Sequence, residues 1–550
     1  MSYLKPKLFS VIKNYSKEQL IKDVVSGIIV AIIALPLSIA LAIASGVGPE
    51  KGIYTAIVAG FIISFLGGSR VQISGPTAAF ATTIAGIVLT KGMDALVMAS
   101  IMAGIILVIM GVFKMGTLIK FIPFTITTGF TAGIAVTLFI GQIKDFLGLT
   151  LNNEEPLIEA LDKLKYDIKC INTFNWQAFV VGMVSLLILV LWPMIKRPKF
   201  LAKIPPSLIA VIVGILMVKL INMNVATIGS AFGGISNELP KFTAPKLSFS
   251  LAREMLPSAF TIAVLAAIES LLSCVVSDTM INSRHNSNAE LVAQGVGNVA
   301  SALFGGIPAT GAIARTAANV KNGGRTPISG MVHSVTLLLI LVVLMPYAAL
   351  IPMPTIAAIL FVVAYNMSGW RTFVNLCKSA PKSDIAVLFA TFVLTVVFDL
   401  VIAIEIGMLL ACVLFIKRMS EQTLVQGWKL VDDENDPDSI SLRKVPANTM
   451  VYEISGPMFF GAADKILGIT VKEDMENLVL RMRSVNSIDY TAVNSLTTLQ
   501  KNCEKNGVRL ILSHVNEQPM SVLKKSGLFD KIGEENFCEH IDAALLRAEQ

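Results

Sequence analysis

Charged residues are scarce in this sequence. They make up 15% of its 550 residues, whereas ordinary soluble domains carry about a quarter. Apolar residues make up 54%. This composition argues against a soluble enzyme, a disordered chain and a secreted disulfide scaffold. It predicts a protein that lies in a membrane.

Metal-binding and disulfide patterns are lacking as well. The six cysteines have no C-x-x-C spacing, and the four histidines form no H-E-x-x-H pair. Neither a zinc site nor a disulfide framework is indicated, and we predict no metal and no cofactor. A glycine pattern at 295–300 imitates a dinucleotide-binding motif, but it lies in an apolar helix without a βαβ unit. The chain is therefore predicted not to be an enzyme.

The formal net charge of +7 is divided unevenly along the chain. Residues 1–420 contain 31 basic and 18 acidic residues, a balance of +13, whereas residues 421–550 contain 14 and 20, a balance of −6. The basic excess thus lies in the apolar part, where lysine and arginine fix the orientation of membrane spans. The charge predicts no nucleic-acid partner.

Apolar runs recur between residues 24 and 420, and they approach the roughly 20 residues that a helix needs to cross a bilayer. Twelve of them lie at about 24–45, 52–67, 93–113, 119–140, 176–194, 205–221, 257–276, 289–306, 326–346, 352–367, 384–398 and 400–416. Two further runs, 77–89 and 312–320, are too short to span. We predict a polytopic α-helical membrane protein with fourteen transmembrane elements, seven in each half.

The distribution of basic residues predicts the orientation of these elements. With a cytoplasmic N-terminal segment, residues 1–23, and fourteen crossings, 20 basic residues fall on the cytoplasmic side and 10 on the opposite side. We therefore expect the N-terminus and the C-terminal part in the cytoplasm, and the spans in the lipid bilayer of the cell's inner membrane.

The two short runs stand at matching places in the two halves. In each half a long apolar helix leads through a Gly-Gly pair and a break rich in Gly and Pro, 67–76 in the first half and 305–311 in the second. Because seven is an odd number, the two halves are inverted relative to each other. Inverted repeats with interrupted helices are typical of secondary transporters, which bind substrate between the breaks. The alternative is that these residues only kink ordinary spans.

Each short run predicts a helix that begins inside the membrane, where its free N–H groups and the positive end of its dipole attract an anion. The predicted anion-binding residues at the two breaks are Gly75, Thr77, Ala78, Gly311, Ala312 and Ala314. Arg315 follows one turn into the second short helix. It either adds a positive charge to the site or extends to the membrane surface.

Glu269 is the acidic residue of the apolar run 257–276. Burying it ionised without a partner is expensive, so we expect it to be protonated, paired or beside water. We predict that it carries a coupling proton, together with Ser273 on the same helical face. The alternative is a structural hydrogen bond to a neighbouring helix.

Residues 421–550 have a mixed polar composition and include an acidic linker at 432–438. Strand-like runs at 450–454, 478–482 and 508–512 alternate with helix-like runs near 462–475, 491–505 and 517–526. This alternation predicts a separate small α/β domain.

Five short motifs identify the membrane part further. They are LPLSIA at 35–40, GSRVQISGPT at 68–77, IESLL at 268–272, HNSN at 285–288 and RTPISG at 325–330. Together they resemble the sulfate permease (SulP) family of anion transporters, and the resemblance covers nearly the whole chain. It implies a 7+7 inverted repeat divided into core and gate domains, an elevator-like movement and a homodimer. It also implies that residues 421–550 form a cytoplasmic STAS domain, open to a cytoplasmic partner.

The resemblance also implies roles for single residues. The anion of the family lies between the third and tenth helices, which implies a site at Thr77, Ala78, Ala312, Ala314 and Arg315. The first helix supplies side walls, here Leu37 and Leu41, and the eighth helix supplies an acidic residue, here Glu269.

Some positions depart from the family pattern. Sodium-coupled members have Asp in place of Glu269 and Thr in place of Ser273 and Ile313. Since Ile313 offers no side-chain oxygen to a hard cation such as Na⁺, proton coupling is favoured. In the STAS domain, Thr491 takes the place of the phosphorylated serine of anti-sigma-factor antagonists. The neighbouring serine and glycine of that motif are missing, which leaves regulation at Thr491 open.

The sequence thus predicts a secondary-active, proton-coupled symporter of a small anion, with sulfate, bicarbonate and dicarboxylates all open as substrates. The alternatives are an uncoupled anion exchanger or channel, sodium-coupled bicarbonate uptake, and an anion sensor that signals through the STAS domain.

Overall fold

The computed structural model describes most of the chain. The described residues are 4–12, 15–117, 123–150, 159–195, 204–232, 238–245, 248–398, 400–427, 439–471 and 475–550. Two compact units divide the chain, Met1–Met408 and Leu409–Gln550. The acidic linker predicted at 432–438 and the first residues of the span predicted at 119–140 lie outside the described residues.

The helices of the first half follow the predicted apolar runs. They are α1 (Lys7–Val11), α2 (Lys17–Ala44), α3 (Pro49–Leu66), α4 (Ala81–Val112), α5 (Phe124–Gly141), α6 (Ile143–Leu147), α7 (Ala160–Lys169), α8 (Trp176–Leu191), α9 (Pro206–Leu220) and α10 (Ile228–Phe232). The two-residue strand β1 (Ser74–Gly75) separates α3 from α4. Gly92, with a φ of 80°, interrupts α4. The predicted short run and the span after it are therefore the two sides of one interrupted element.

The second half has the same plan. Its helices are α11 (Phe249–Ile281), α12 (Ser287–Leu303), α13 (Ile313–Lys321), α14 (Ile328–Ala348), α15 (Met353–Ser368), α16 (Trp370–Ser379), α17 (Lys382–Val397) and α18 (Leu400–Gln422). The strand β2 (Thr310–Gly311) separates α12 from α13. Helix α11 begins eight residues before the predicted run, because Arg253 and Glu254 favour a helix although they are charged.

Several helices have the length and composition of membrane spans. Among the described residues, seven helical segments are long and apolar enough to cross a membrane. Helix α9 and residues 328–344 of α14 are shorter apolar helices. The remaining predicted elements are α12, α13, α17 and α18. Each of the fourteen predicted elements thus has a counterpart among the described helices.

The packing of the helices repeats between the halves. Helix α4 packs against α11 and α12, whereas α14, its counterpart, packs against α2 and α3. Helix α5 packs against α17, and α15, its counterpart, packs against α8. Such an exchange of partners between the halves is expected of an inverted repeat. Two bundles result, a core bundle of α2–α4 with α11–α14 and a gate bundle of α5–α9 with α15–α17.

The two helix breaks meet inside the core bundle. Strands β1 and β2 pair antiparallel, with Ser74 opposite Gly311 and Gly75 opposite Thr310, and all four residues are buried. Backbone polar groups at a break within a membrane need partners inside the protein. Each break supplies partners to the other, so the pairing stabilises both interruptions.

A buried carboxylate holds the segment that precedes β1. Glu290 of α12 is fully buried. Its two oxygens accept hydrogen bonds from the backbone N–H groups of Gly68 and Ser69, at 2.9 and 3.2 Å, and from the side-chain amides of Gln72 and Gln294, at 2.7 and 2.9 Å. Four donors compensate for the burial of this polar group, and they fix the course of the first break.

The second unit contains a five-stranded sheet. Its order is β3 (Leu424–Gly427), β4 (Thr449–Ser455), β5 (Asn477–Ser484), β6 (Arg509–Ser513) and β7 (Phe537–Cys538). Strand β3 is antiparallel to β4, and the other neighbours are parallel. The helices of this unit are α19 (Ala463–Leu467), α20 (Tyr490–Lys505), α21 (Glu517–Lys525), α22 (Leu528–Ile532) and α23 (Ile541–Glu549).

Both faces of this sheet are covered by apolar residues. Leu478 and Leu480 of β5 belong to one buried cluster, and Val479 between them belongs to another. Buried parallel strands have such continuous apolar runs. Helix α19 is shorter than the helix predicted near 462–475, because Gly468 and the β-branched run 469–471 follow it. The predicted α/β domain is present.

Candidate anion-binding site

The pairing of β1 with β2 brings the two short helix starts together. Thr77 lies two residues after β1 and precedes the 3-10 turn Ala78–Phe80, which leads into α4. Ala312 lies directly after β2 and precedes α13. The first N–H groups of each helix have no partner within the helix, so both breaks present hydrogen-bond donors.

The predicted anion-binding residues differ in exposure. Gly75, Ala78 and Gly311 are buried, Thr77 and Ala312 are half-buried, and Ala314 is exposed. The candidate site is therefore closed beneath the paired strands and open at the start of α13.

Arg315 lies inside the protein rather than at its surface. Its side chain is 2% exposed, and its Nη2 donates a hydrogen bond to the carbonyl oxygen of Pro76. Its Nε and Nη1 atoms have no hydrogen-bond partner among the described residues. A Cβ atom at Gly75 would lie 2.6 Å from Nη1, so a larger residue there would displace the guanidinium from its present position. A buried arginine with unpaired donors adds positive potential next to both helix starts.

Glu269 contacts the first helix start directly. The hydroxyl of Thr77 donates a hydrogen bond of 2.8 Å to Oε2 of Glu269. Glu269 is half-buried on α11, and it interacts electrostatically with Arg315. Three residues that lie far apart in the sequence, Thr77, Glu269 and Arg315, thus form one cluster.

Hydroxyl groups connect α11 to the second break. The hydroxyls of Ser270 and Thr310 lie 2.6 Å apart, and Ser270 also accepts a hydrogen bond of 3.1 Å from the backbone N–H of Gly311. Ser273 is buried and donates a hydrogen bond of 3.3 Å to the hydroxyl of Thr316. Ser273, predicted beside the coupling proton, is thus bonded to α13 and positions the second helix start.

Leu37 and Leu41 of α2 belong to the apolar packing that also contains Ala78. Leu41, which is 2% exposed, belongs to the same apolar cluster as Ala78, and the partly buried Leu37 packs against that cluster. Aliphatic side chains beside the donors exclude water, and this strengthens the attraction between the donors and an anion.

His333 is a further residue near this cluster, and sequence reasoning missed it. It lies on α14, is fully buried and interacts electrostatically with Arg315. Neither of its ring nitrogens has a hydrogen-bond partner among the described residues. Thr310 and Thr316 were missed as well. The signal that would have found all three is a polar residue within or beside an apolar run.

Two cavities lie beside the candidate site. One has a volume of about 380 Å³ and is lined by Ala81 and Ala85 of α4 and by Lys163 and Asp167 of α7. The other has a volume of about 400 Å³ and is lined on one side by Leu37 of α2. In the described part of the chain, no three His, Cys, Asp or Glu side chains are grouped so that they could hold a metal ion.

Family models match both parts of the chain. The model of the sulfate permease family matches residues 20–391, and the STAS domain model matches residues 440–544. Thr491 lies within the STAS match, exposed in the first turn of α20, and the hydrogen bond from the Ala492 N–H to Asp489 caps that helix.

Known proteins resemble the chain over almost its whole length. YvdB of Bacillus subtilis (strain 168), provisionally named as a sulfate transporter, is 41% identical over 96% of this chain and 98% of its own. The bicarbonate transporter BicA of Synechocystis sp. is 30% identical over 95% of this chain and 93% of its own. The structure of the murine anion transporter Slc26a9 covers 99% of this chain and 94% of its own, with a TM-score of 0.86 and 19% identity. The predicted fold, an inverted repeat of membrane helices followed by a STAS domain, is confirmed, and the chain belongs to the sulfate permease family.

Proposed function

We propose that the protein is a secondary-active transporter that moves a small oxyanion together with a proton across the cell's inner membrane. The observation that supports this most strongly is the cluster of Thr77, Glu269 and Arg315 between two helix starts. It combines donors for an anion with a carboxylate that can carry a proton. Its position inside the core bundle is suited to a transported substrate.

Such a site recognises the charge and the size of an anion. Backbone N–H groups and a guanidinium bind oxygen atoms of an anion without selecting one acid. The names of the relatives, which refer to sulfate and bicarbonate, support the same class of substrate. Sulfate, bicarbonate and small dicarboxylates are the candidates, because each presents oxygen atoms and a negative charge.

Proton coupling follows from the balance of charge in the site. When Glu269 is ionised, its negative charge offsets that of Arg315 and repels an entering anion. When Glu269 is protonated, Arg315 and the helix starts are left with a net positive potential. A proton and an anion therefore bind more tightly together than separately, and this reciprocal coupling is the requirement for symport.

Sodium coupling is less well supported by the residues at the second helix start. Na⁺ is a hard cation that needs several oxygen ligands. Ile313, the first residue of α13, supplies no side-chain oxygen and is 44% exposed. Proton coupling requires only one carboxylate, and Glu269 is available for it.

An elevator movement is consistent with the two bundles. The residues of the candidate site all belong to the core bundle, on α2, α11, α13, the strands β1 and β2 and the residues that follow these strands. The two cavities contain residues of both bundles. We propose that the core bundle carries the anion past a gate bundle that a homodimer holds in place, with the N-terminus and the STAS domain on the cytoplasmic side.

A panel of labelled anions tests the proposed substrate class. Proteoliposomes with the purified protein are expected to accumulate at least one of sulfate, bicarbonate and succinate, and to do so faster at lower external pH. Ala312→Leu fills the space at the second helix start and is expected to abolish uptake, whereas Ala318→Leu on the same helix is the matched control. Equal uptake by both variants would place the anion elsewhere.

The pH dependence of anion entry offers a second test. Burial raises the pKa of Asp167, at the edge of the 380 Å³ cavity, to about 6. The carboxyl is neutral below this pH and negative above it, so it repels anions only above pH 6. We expect Asp167→Asn to lower the KM for the anion about twofold at pH 7 and to leave it unchanged at pH 5. Asp162→Asn, which removes an acidic residue of the same helix, is the control, and identical pH profiles for all three proteins would refute the prediction.

A further inference from the structure

A basic cleft lies in the core bundle, apart from the candidate anion-binding site. Its volume is about 580 Å³, and it is lined by Lys7, Arg70, Arg284 and Arg325. The four cations come from the N-terminal segment, the α3–β1 connection, the α11–α12 connection and the α13–α14 connection. None of the lining residues is acidic. We place this cleft on the cytoplasmic side, where the basic residues of the sequence are concentrated.

The carboxylates next to the cleft are already bonded to other groups. Asp23 is fully buried and accepts hydrogen bonds from the hydroxyl of Tyr15 at 2.9 Å and from the backbone N–H of Arg325 at 2.8 Å. Asp278 lies 2.7 Å from the Nδ1 atom of His285. These acids therefore do little to neutralise the cations of the cleft.

The cations themselves have no acidic partner. Among the described residues, none of the four forms an ion pair, and the Nε atom of Arg70 is buried without a hydrogen-bond partner. The side chains of Lys7 and Arg325 donate their hydrogen bonds to backbone carbonyl oxygens, which leave the positive charges in place. Burial, followed by the hydrogen bond to Asp23, raises the pKa of Tyr15 to about 12, so its hydroxyl adds no negative charge to the cleft. The cleft thus has four positive charges and is suited to an anionic group.

The short helix that contributes Lys7 to the cleft also has exposed apolar side chains next to the cleft residues in sequence. Phe9 of α1 and Ile12, directly after α1, are 47% and 50% exposed, and neither lines the cleft. The ring of Phe9 lies 6.0 Å from that of Phe65, and the backbone N–H of Lys7 donates a hydrogen bond to the carbonyl of Gly67. The N-terminal segment is therefore attached to the end of α3, with Lys7 lining the cleft and the exposed Phe9 and Ile12 outside it. Exposed apolar side chains next to a basic cleft can contact the acyl chains of a lipid, whereas they make no favourable contact with a soluble anion.

We propose that the basic cleft binds the phosphate headgroup of an anionic phospholipid from the cytoplasmic leaflet, and that the lipid holds the N-terminal segment against the core bundle. Clusters of basic residues between the ends of membrane helices bind anionic headgroups in this way. The size of the cleft suits a headgroup with its glycerol better than a single inorganic ion.

The test measures the thermal stability of the purified full-length protein in detergent while phosphatidylglycerol or phosphatidylcholine is added. Phosphatidylglycerol is expected to raise Tm, and phosphatidylcholine is expected to have a much smaller effect. Arg284→Gln is expected to raise the phosphatidylglycerol concentration needed for half of the maximal Tm shift roughly fivefold, because one basic residue of the headgroup site is lost. Arg284 is exposed, so the variant retains its fold. Lys321→Gln removes an exposed charge that does not line the cleft, and it is expected to respond like the wild type.

Three outcomes would overturn the proposal. Equal stabilisation by the two lipids would show that the headgroup charge is irrelevant. An unchanged response of Arg284→Gln would place the lipid elsewhere. A shift produced equally by inorganic phosphate at the same concentration would identify a soluble anion as the ligand. Native mass spectrometry provides an independent readout, since the wild type should retain phosphatidylglycerol more strongly than Arg284→Gln does.

Discussion

Replacing Glu269 with glutamine is expected to abolish accumulation of the anion against its gradient while preserving exchange of anions across the membrane. Glutamine keeps a hydrogen-bond acceptor for the Thr77 hydroxyl, which lies 2.8 Å from the carboxylate in the wild type. It carries no proton that can be released. With one proton per monovalent anion and the membrane potential clamped at zero, each pH unit of gradient supports about tenfold accumulation in the wild type. The variant should reach the same concentration on both sides.

The same variant is expected to bind the anion more tightly than the wild type at high pH, although it cannot accumulate the anion. A negative charge about 6 Å from the bound anion opposes binding by about 3 kcal/mol at an effective dielectric constant of about 20. The wild type is therefore expected to lose affinity on the order of a hundredfold as Glu269 ionises. Glu269→Gln should instead keep the affinity of the protonated wild type at all pH values. Isothermal titration at several pH values measures this difference.

Glu405→Gln is the matched control for Glu269. Glu405 is an exposed acidic residue on α18, and the substitution makes the same chemical change outside the candidate site. This control should accumulate the anion as the wild type does. If Glu269→Gln still drives concentrative uptake from a pH gradient, another group carries the proton.

Replacing Arg315 with glutamine is expected to weaken anion binding by a factor on the order of a hundred. Arg315 is 2% exposed, and its Nε and Nη1 atoms lack hydrogen-bond partners among the described residues, so it supplies a buried positive charge with donors that an anion can use. Loss of one charge at about 6 Å from the anion removes about 3 kcal/mol of binding free energy, which weakens Kd on the order of a hundredfold. The change also leaves Glu269 without its positive neighbour, which adds to the loss.

Two companion variants separate charge from structure in this prediction. Arg315→Lys keeps the positive charge but loses the fork that bonds to the Pro76 carbonyl, so it should retain part of the affinity. Lys321→Gln removes a charge from the end of the same helix and should bind normally. Thermal unfolding of each purified variant checks that the fold is intact. Unchanged Kd in Arg315→Gln would show that the arginine has only a structural role.

The sequence predicted the membrane elements well because their signal is local. An apolar run between Gly/Pro-rich breaks can be recognised without knowledge of its neighbours, and the short runs at 77–89 and 312–320 correspond to real helix starts after β1 and β2. Helix α16 was not predicted, because it is amphipathic and contains no apolar run of its own. The length of α11 was underestimated for a similar reason, since the charged Arg253 and Glu254 interrupt the apolar pattern of its first turns.

The contacts within the candidate site required the structure. Thr77 and Glu269 are separated by 192 residues, and the antiparallel pairing of Ser74 with Gly311 joins segments that lie in different halves of the chain. The local pattern of apolar and polar residues predicts neither of these contacts. The same holds for Glu290, whose role at the first break depends on donors from Gly68 and Ser69. Sequence reasoning could identify which polar residues lie in apolar surroundings, but not which of them are partners.

The coupling mechanism is tested most directly by uptake into proteoliposomes that contain the wild-type protein, with equal anion concentrations on both sides and no sodium present. An inward proton gradient is imposed while the membrane potential is clamped at zero. We predict net accumulation of the labelled anion, together with acidification of the lumen at a fixed ratio of protons to anions. Absence of accumulation, or accumulation that appears only when sodium is added, would contradict a proton-coupled mechanism at Glu269.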